Sequence, residues 1–475
     1  MRFFLHNMAL YKSIGVVISI ISLMLIISGV VLFPSALSIF VIAIGAFLMF
    51  SGLMLIIKNI PDCIVKSLGL IIIVLSVIFT VIAIVLFGNE SSAARVWGDN
   101  NGGQLGDGTT QSRSVPVEVS DLNTTITAIA GGIAHSLALD EDGTIWAWGD
   151  NSFGQLGTGD NTDSLVPVKV INLTKVVSIA CGETFSMALD ESGNVWTWGN
   201  NFSGQLGNGT NTNSNIPVKV SNVQNAVSIG CGWLHGFAIK ADGTVWGWGS
   251  NTEGQIGDGT TTNTNVPVQV NIPFNMVFIT GEAYHSFALD ASGNVWSWGD
   301  NEYGQLGNGT FTDSSTPAQI PGLSGVSKLA SGGLHGIVIL NDSTIRTWGY
   351  NIVGQLGNGS YSNSNVPGPV SDLIGIKFVS VAGGGYHCLA LDDSGKVWSW
   401  GYNDRGQLGN GTTVESNVPV SVANISNVSQ IACGEFHSLA LQEAESPPVF
   451  ICVFIISALL LSGLILLFCN FKYCR

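Results

Sequence analysis

The stretch His135-Ser-Leu-Ala-Leu-Asp140-Glu-Asp-Gly143-Thr-Ile-Trp146-Ala-Trp148-Gly-Asp-Asn-Ser-Phe-Gly154-Gln-Leu-Gly157 decides the fold. Ile145 to Trp148 alternates and is rich in aromatic and β-branched side chains, as a half-buried strand requires. A second strand begins at His135. Between the two lies Asp142-Gly143, a strong hairpin signal because glycine supplies positive φ at little steric cost. The glycine-rich tail reads as turns.

The passage recurs at a fixed interval. Gly-Gln-Leu/Ile-Gly begins at Gly103, Gly154, Gly204, Gly254, Gly304, Gly354 and Gly406, with spacings of 50 to 52 residues. A proline follows in register each time, from Pro116 to Pro419. The His-initiated strand returns at His135, His235, His285, His335, His387 and His437, with Phe185 in the remaining copy. Residues 88–448 carry no helical periodicity, and short strands repeated at this period predict the blades of a propeller rather than a solenoid.

The pattern Gly-x-x-His-Ser-x-Ala-Leu, then Asp-Gly-x-Val-Trp-x-Trp-Gly-x-Asn-x-x-Gly-Gln-Leu-Gly, resembles the regulator of chromosome condensation repeat over about residues 92 to 442. The resemblance implies an all-β seven-bladed propeller. Val96 to Gly98 has no His strand before it, and His437 to Leu441 has no Trp strand after it. Seven complete units therefore require 92–98 to pair with 437–442, which removes an open sheet edge.

Outside the repeats the composition changes. Ile14 to Phe33, Ala36 to Ile57, Leu68 to Phe87 and Val449 to Phe468 are uncharged apolar runs. About 20 such residues cross a bilayer as a helix. The expected organisation is a membrane region at 1–88 with three helices at 14–33, 36–57 and 68–87. A propeller at 89–446 follows, and 447–475 supplies a fourth helix with a short cytoplasmic tail. Arg2, Lys12, Lys58, Lys66, Lys472 and Arg475 fall on one side when the spans are threaded alternately. The positive-inside rule then puts both termini in the cytoplasm and the propeller outside a cell membrane, with the lipid bilayer as a partner. Residues 88–448 hold 11 basic and 31 acidic side chains. That balance argues against nucleic acid, whose phosphates are bound through Lys and Arg.

Candidate chemistry is sparse. The histidines read as structural hydrogen-bonding groups within each blade rather than a metal ring, since copies stand whole blades apart. Ser136, Ser286 and Ser438 invite a Ser-His dyad, but adjacent strand residues point to opposite faces. Asp140 to Gly143 resembles half a calcium loop without its later glutamate and reads as a hairpin. Gly106-Asp-Gly108 lacks the Gly-Lys-Ser/Thr of a phosphate loop. Cys181, Cys231 and Cys433 share a register filled elsewhere by Gly or Ser, which suggests small core residues rather than disulfides; Cys469 and Cys474 are acylation candidates. Eleven Asn-x-Ser/Thr sequons are compatible with a glycosylated outer surface. Neither a cofactor nor a metal is implied.

Aromatic residues just before the repeated histidine offer the one candidate binding set: Trp233, Tyr284, Tyr386 and Phe436. Packing between blades is the competing reading. Plant ultraviolet-sensing relatives carry many tryptophans there, interleaved with arginines; a single copy speaks against photoreception. The expected function is a membrane-anchored, outward-facing, non-catalytic module that binds a protein or surface ligand. The alternative is guanine-nucleotide exchange on a small GTPase, as in nuclear members of the family. Those members use a basic tail and a blade insertion, and the 50 to 52 residue spacing here leaves no room for the insertion.

Overall fold

The computed structural model describes residues 92–273 and 275–443. The expected helices at 14–33, 36–57, 68–87 and 449–468 lie outside the described residues. Among the described residues no helix is long and apolar enough to cross a membrane.

Seven four-stranded antiparallel sheets form the ring. Six are continuous in sequence, from 126–169 (blade 2) through 176–219, 226–269, 276–319 and 326–369 to 378–421 (blade 7). Blade 1 draws Ala93–Gly98 and Arg113–Glu118 from the start of the repeats, and Val428–Cys433 and His437–Gln442 from their end. Ala93↔Gln442 through Gly98↔His437 pair in unbroken antiparallel register. The first and last strands thus clasp the ring, and blade 1 is completed by both ends of the repeat array.

The period-2 pattern explains how blades adhere. In blade 2, Leu137, Leu139, Ile145 and Ala147 face blade 3, where they enclose Ala188 and Trp198. Ala138 and Trp148, on the opposite face, pack on Ala94, Val96, Leu439 and Leu441 of blade 1. Each sheet therefore offers a face of large aliphatic or aromatic side chains to one neighbour and an alanine or valine beside a tryptophan to the other. Trp97, Trp148, Trp198, Trp248, Trp298, Trp348 and Trp400 are fully buried. The indole N–H of each donates to the backbone carbonyl of the preceding blade's glutamine, as Trp148 does to Gln104 at 2.8 Å.

The Gly-Gln-Leu-Gly turns supply those carbonyls. Their first glycines, Gly103, Gly154, Gly204, Gly254, Gly304, Gly354 and Gly406, all hold φ between 76 and 86°. At Gly154 a Cβ atom would stand 2.5 Å from the Asn215 backbone of the next blade. Positive φ and close approach both demand glycine here. These seven turns, with the loops leading into the His strands, make one end of the ring, the loop face. The Asp-Gly hairpins make the other, the hairpin face. There Asp140 accepts from the Asp142 and Thr144 backbone N–H groups and from Trp146 Nε1, at 2.8 to 3.1 Å. Its carboxylate oxygens are spent on the turn, as a hairpin requires.

Candidate interaction face

The histidines do not bond within their own blades; the structure corrects that expectation. His135 Nε2 lies 3.0 Å from Ser186 Oγ of the next blade. His235 reaches Ser286, His387 reaches Ser438, and His437 closes the circle on Ser136. His285 meets Ser331, and His335 meets Cys388 Sγ. Ser and His do come together, because residues neighbouring in sequence face opposite blades and each finds its partner across a boundary. The serine hydroxyls of 136, 186, 286 and 438 donate in turn to a buried glutamine carbonyl. The proton of the pair therefore sits on the imidazole Nε2. Nδ1 of all six histidines is buried without a hydrogen-bond partner. Burial pushes these rings down to pKa values of about 3 to 4. A neutral, sealed imidazole that already donates to the hydroxyl cannot act as its base. Phe185 fills the histidine position in blade 3, and the next blade has Gly236 in the register of Ser186.

At the mouth of the central channel, Ile133, Glu183, Trp233, Glu282 and Glu435 converge above Cys181. Burial, then repulsion by Glu435, raises the Glu282 carboxyl to about 8 despite the Ala283 N–H and the Trp233 indole. Burial, then Glu183, raises Glu435 to about 7. Cys181, Cys231, Cys388 and Cys433 are free thiols. Cys181 and Cys433 are only partly buried, unlike Cys231. Among the described residues no set of three or more His, Cys, Asp or Glu side chains has a metal-binding arrangement.

The four aromatic candidates fall into two groups. Trp233 stands one position earlier in its loop than the other three, in the register of Glu183 and Glu435, and faces the channel mouth. Its ring meets Tyr284 edge-on at 5.9 Å. Tyr386 and Phe436 stack at 6.2 Å, 23° from parallel, in a separate cluster.

That second cluster is larger than the sequence suggested. Tyr402 contacts both Tyr386 and Phe436, and Tyr350 contacts Tyr386, at 6.2 to 6.4 Å. Tyr303 continues the series, 4.8 Å from Tyr350. Five half-buried rings thus form a crescent over blades 5, 6, 7 and 1. Tyr350 and Tyr402 occupy the position after each Trp-Gly, elsewhere Asp, Asn or Ser. A backbone hydrogen bond seats that position beside the His loop: Tyr402 N–H donates to the Tyr386 carbonyl at 2.9 Å. Comparing that position across the repeats was the available signal.

Charge divides sharply between the ends of the ring. Among the described residues the loop face carries fifteen carboxylates against Arg113 and Arg405 alone, a formal −13. The hairpin face carries fourteen against nine Lys and Arg, a formal −5. Arg113 is already engaged by Asp107 at 2.7 Å.

Comparison with known proteins places the chain. The model for the RCC1-like domain matches residues 84–375, and models for the regulator of chromosome condensation repeat match 378–407 and 394–441. The ultraviolet-B receptor UVR8 of Arabidopsis thaliana is 43% identical over 75 residues, 16% of this chain and 17% of that protein. A Danio rerio RCC2 homolog is 44% identical over 71 residues, 15% of this chain and 14% of that one. The matched segments span less than a fifth of these relatives' own length. Human WBSCR16 superposes with a TM-score of 0.68 at 26% identity, over 75% of this chain and 100% of that one. Prp20p of Saccharomyces cerevisiae shares the fold, with a TM-score of 0.67 at 23% identity over 75% of this chain and 92% of that one. The chain belongs to the RCC1-like domain family.

Proposed function

We infer that this RCC1-like propeller is a membrane-anchored, outward-facing binding module that engages its partner through the loop face without catalysing a reaction. The aromatic crescent carries the reading. Elsewhere the polar groups of the scaffold are consumed internally: indoles on carbonyls, histidines on hydroxyls, hairpin carboxylates on backbone N–H groups. On the loop face, half-exposed tyrosines stand clear of that network, and such rings are the usual anchors of protein interfaces. The uncharged apolar runs at 14–33, 36–57, 68–87 and 449–468 support the anchoring.

A photo-crosslinking residue placed at Tyr284 or Tyr386, and at Asp342 on the hairpin face for contrast, tests the reading in the full chain on intact cells. The expected result is one identified adduct from the loop-face positions only. Equal yields from both faces, or none from the loop face, would overturn it. Guanine-nucleotide exchange remains the alternative; a small GTPase as the adduct would favour it.

A further inference from the structure

We propose that the tyrosine crescent of the loop face receives an extended, arginine-rich protein segment, with arginines at alternate positions lying on Tyr350, Tyr386 and the Tyr402–Phe436 pair. This rests on the reading of the loop face as the binding surface and adds the chemistry of what binds.

Charge, spacing and ring chemistry point to the same occupant. Carboxylates dominate the border of the crescent: Asp300 and Glu302 beside Tyr303, Asp404 bonded to the Tyr402 hydroxyl at 2.9 Å, and Glu435 beside Tyr386. Among the described residues the one cation there is Arg405, near Tyr402 and itself 3.9 Å from Asp99. Asp300 is held above its ordinary pKa by burial, and then by Asp313, Glu253 and Glu302. Those groups repel one another in the free protein, and a cation arriving among them relieves the repulsion. The rings meet at 6.2 to 6.4 Å from Tyr350 onward. Alternate side chains of an extended strand are spaced about 6.6 Å apart, at roughly 3.3 Å per residue. A guanidinium suits both kinds of neighbour, stacking on a phenol face while its edge forks onto a carboxylate. Lysine offers only a point charge.

The same features disfavour other occupants. Nucleic acid and anionic lipid meet a face of formal charge −13. A second copy through its own loop face would oppose like charges. A glycan would stack on the rings but gain nothing from the carboxylate border.

The test uses the full chain and a fluorescent short peptide of alternating arginine and serine, with lysine-serine and glutamate-serine peptides for comparison. Binding of the arginine peptide is expected to weaken at least tenfold in the Tyr350→Ala, Tyr386→Ala double variant and severalfold when lysine replaces arginine. The Tyr350→Phe, Tyr386→Phe variant should retain most of it. Raising salt from about 50 mM to about 500 mM should weaken it strongly. A thermal melt of each variant separates lost binding from lost folding. Equal affinity in wild type and the alanine variant would overturn the proposal as charge attraction alone. No binding, or equal binding of the lysine peptide, would also overturn it. If the loop-face crosslinker still traps a partner in that case, only the arginine chemistry fails; if it traps none, the binding-face reading fails as well.

Discussion

His135 and Ser186 are 51 residues apart in sequence, yet His135 Nε2 and Ser186 Oγ lie 3.0 Å apart across the boundary between blades 2 and 3. Both side chains are fully buried, and the serine hydroxyl continues to the Gln155 carbonyl at 2.8 Å. The pair is an adhesive between blades. Its strength comes less from the bond made than from the cost of leaving either group unpaired.

Ser186→Ala removes the acceptor and strands a buried N–H, so it should destabilise the full chain by about 1–3 kcal/mol. In a His135→Phe background the same change should cost clearly less, because no N–H remains to be stranded. The ring already holds one phenylalanine at the histidine position, Phe185, with a residue lacking a hydroxyl, Gly236, in the serine register of the next blade. Denaturant melts followed by tryptophan fluorescence over this double-mutant cycle measure the coupling. Additive costs would show that the two side chains merely pack.

The six histidines impose an acid limit. Their folded pKa values of about 3 to 4 lie below the unfolded value of about 6.5. The unfolded chain therefore binds protons first as pH falls. Their stabilising contribution is complete above about pH 6.5 and is lost as pH falls toward the folded values. Glu282, at about 8, and Glu435, at about 7, act in the opposite sense: folded values above the ordinary one favour the fold at low pH and lose that contribution as pH rises through them. A melt series from about pH 4 to 9 should show a maximum near neutrality. His235→Phe should shallow the acid limb, and Glu282→Gln the alkaline limb.

Repeat architecture is legible in this sequence because every copy restates the same strand pair. One copy's ambiguity is settled by the other six. Direction across blade boundaries is not legible in the same way. Nothing adjacent to His135 indicates that its partner is Ser186 rather than a group in its own sheet, and His285, with Gly336 in the serine register, finds Ser331 on another strand instead. The crescent was half visible for a similar reason. Tyr386 and Phe436 share one motif position, whereas Tyr350, Tyr402 and Tyr303 come from two others that folding brings alongside. Trp233, grouped with them by proximity to a histidine, belongs to the channel mouth instead.

Closure of the ring gives a third expectation. Trp97 is fully buried in the strand that pairs with His437–Gln442, and its indole donates to the Gln407 carbonyl at 2.9 Å. Trp97→Ala should cost about 3–5 kcal/mol, a large part of an ordinary stability of 5–15 kcal/mol. Because the clasp holds both ends of the ring, the loss should appear as lower cooperativity throughout the propeller. Hydrogen exchange would report it as faster opening in blades 2 and 7 as well as in blade 1. A change confined to blade 1 would mean that the remaining blades stand without the clasp.

Sidedness can be tested independently of any ligand. The basic residues Arg2, Lys12, Lys58, Lys66, Lys472 and Arg475 lie beside the apolar runs, and retention of such residues in the cytoplasm would place the propeller outside. Asp160 is exposed on a loop-face turn, so Asp160→Cys should react with a membrane-impermeant thiol reagent on intact cells, whereas Leu5→Cys should react only after permeabilisation. Native thiols provide the background, and Cys231 and Cys388 are buried within it. Glycosylation in a competent host gives a second reading. Asn123 is exposed and should carry a glycan. Asn201 should not, since it is fully buried and its side-chain amide donates to the Thr210 and Thr212 carbonyls at 3.0 Å. Labelling of Leu5→Cys on intact cells, with Asp160→Cys protected and Asn123 unmodified, would put the propeller in the cytoplasm. A small GTPase would then be within its reach, and the exchange-factor reading would become the stronger one.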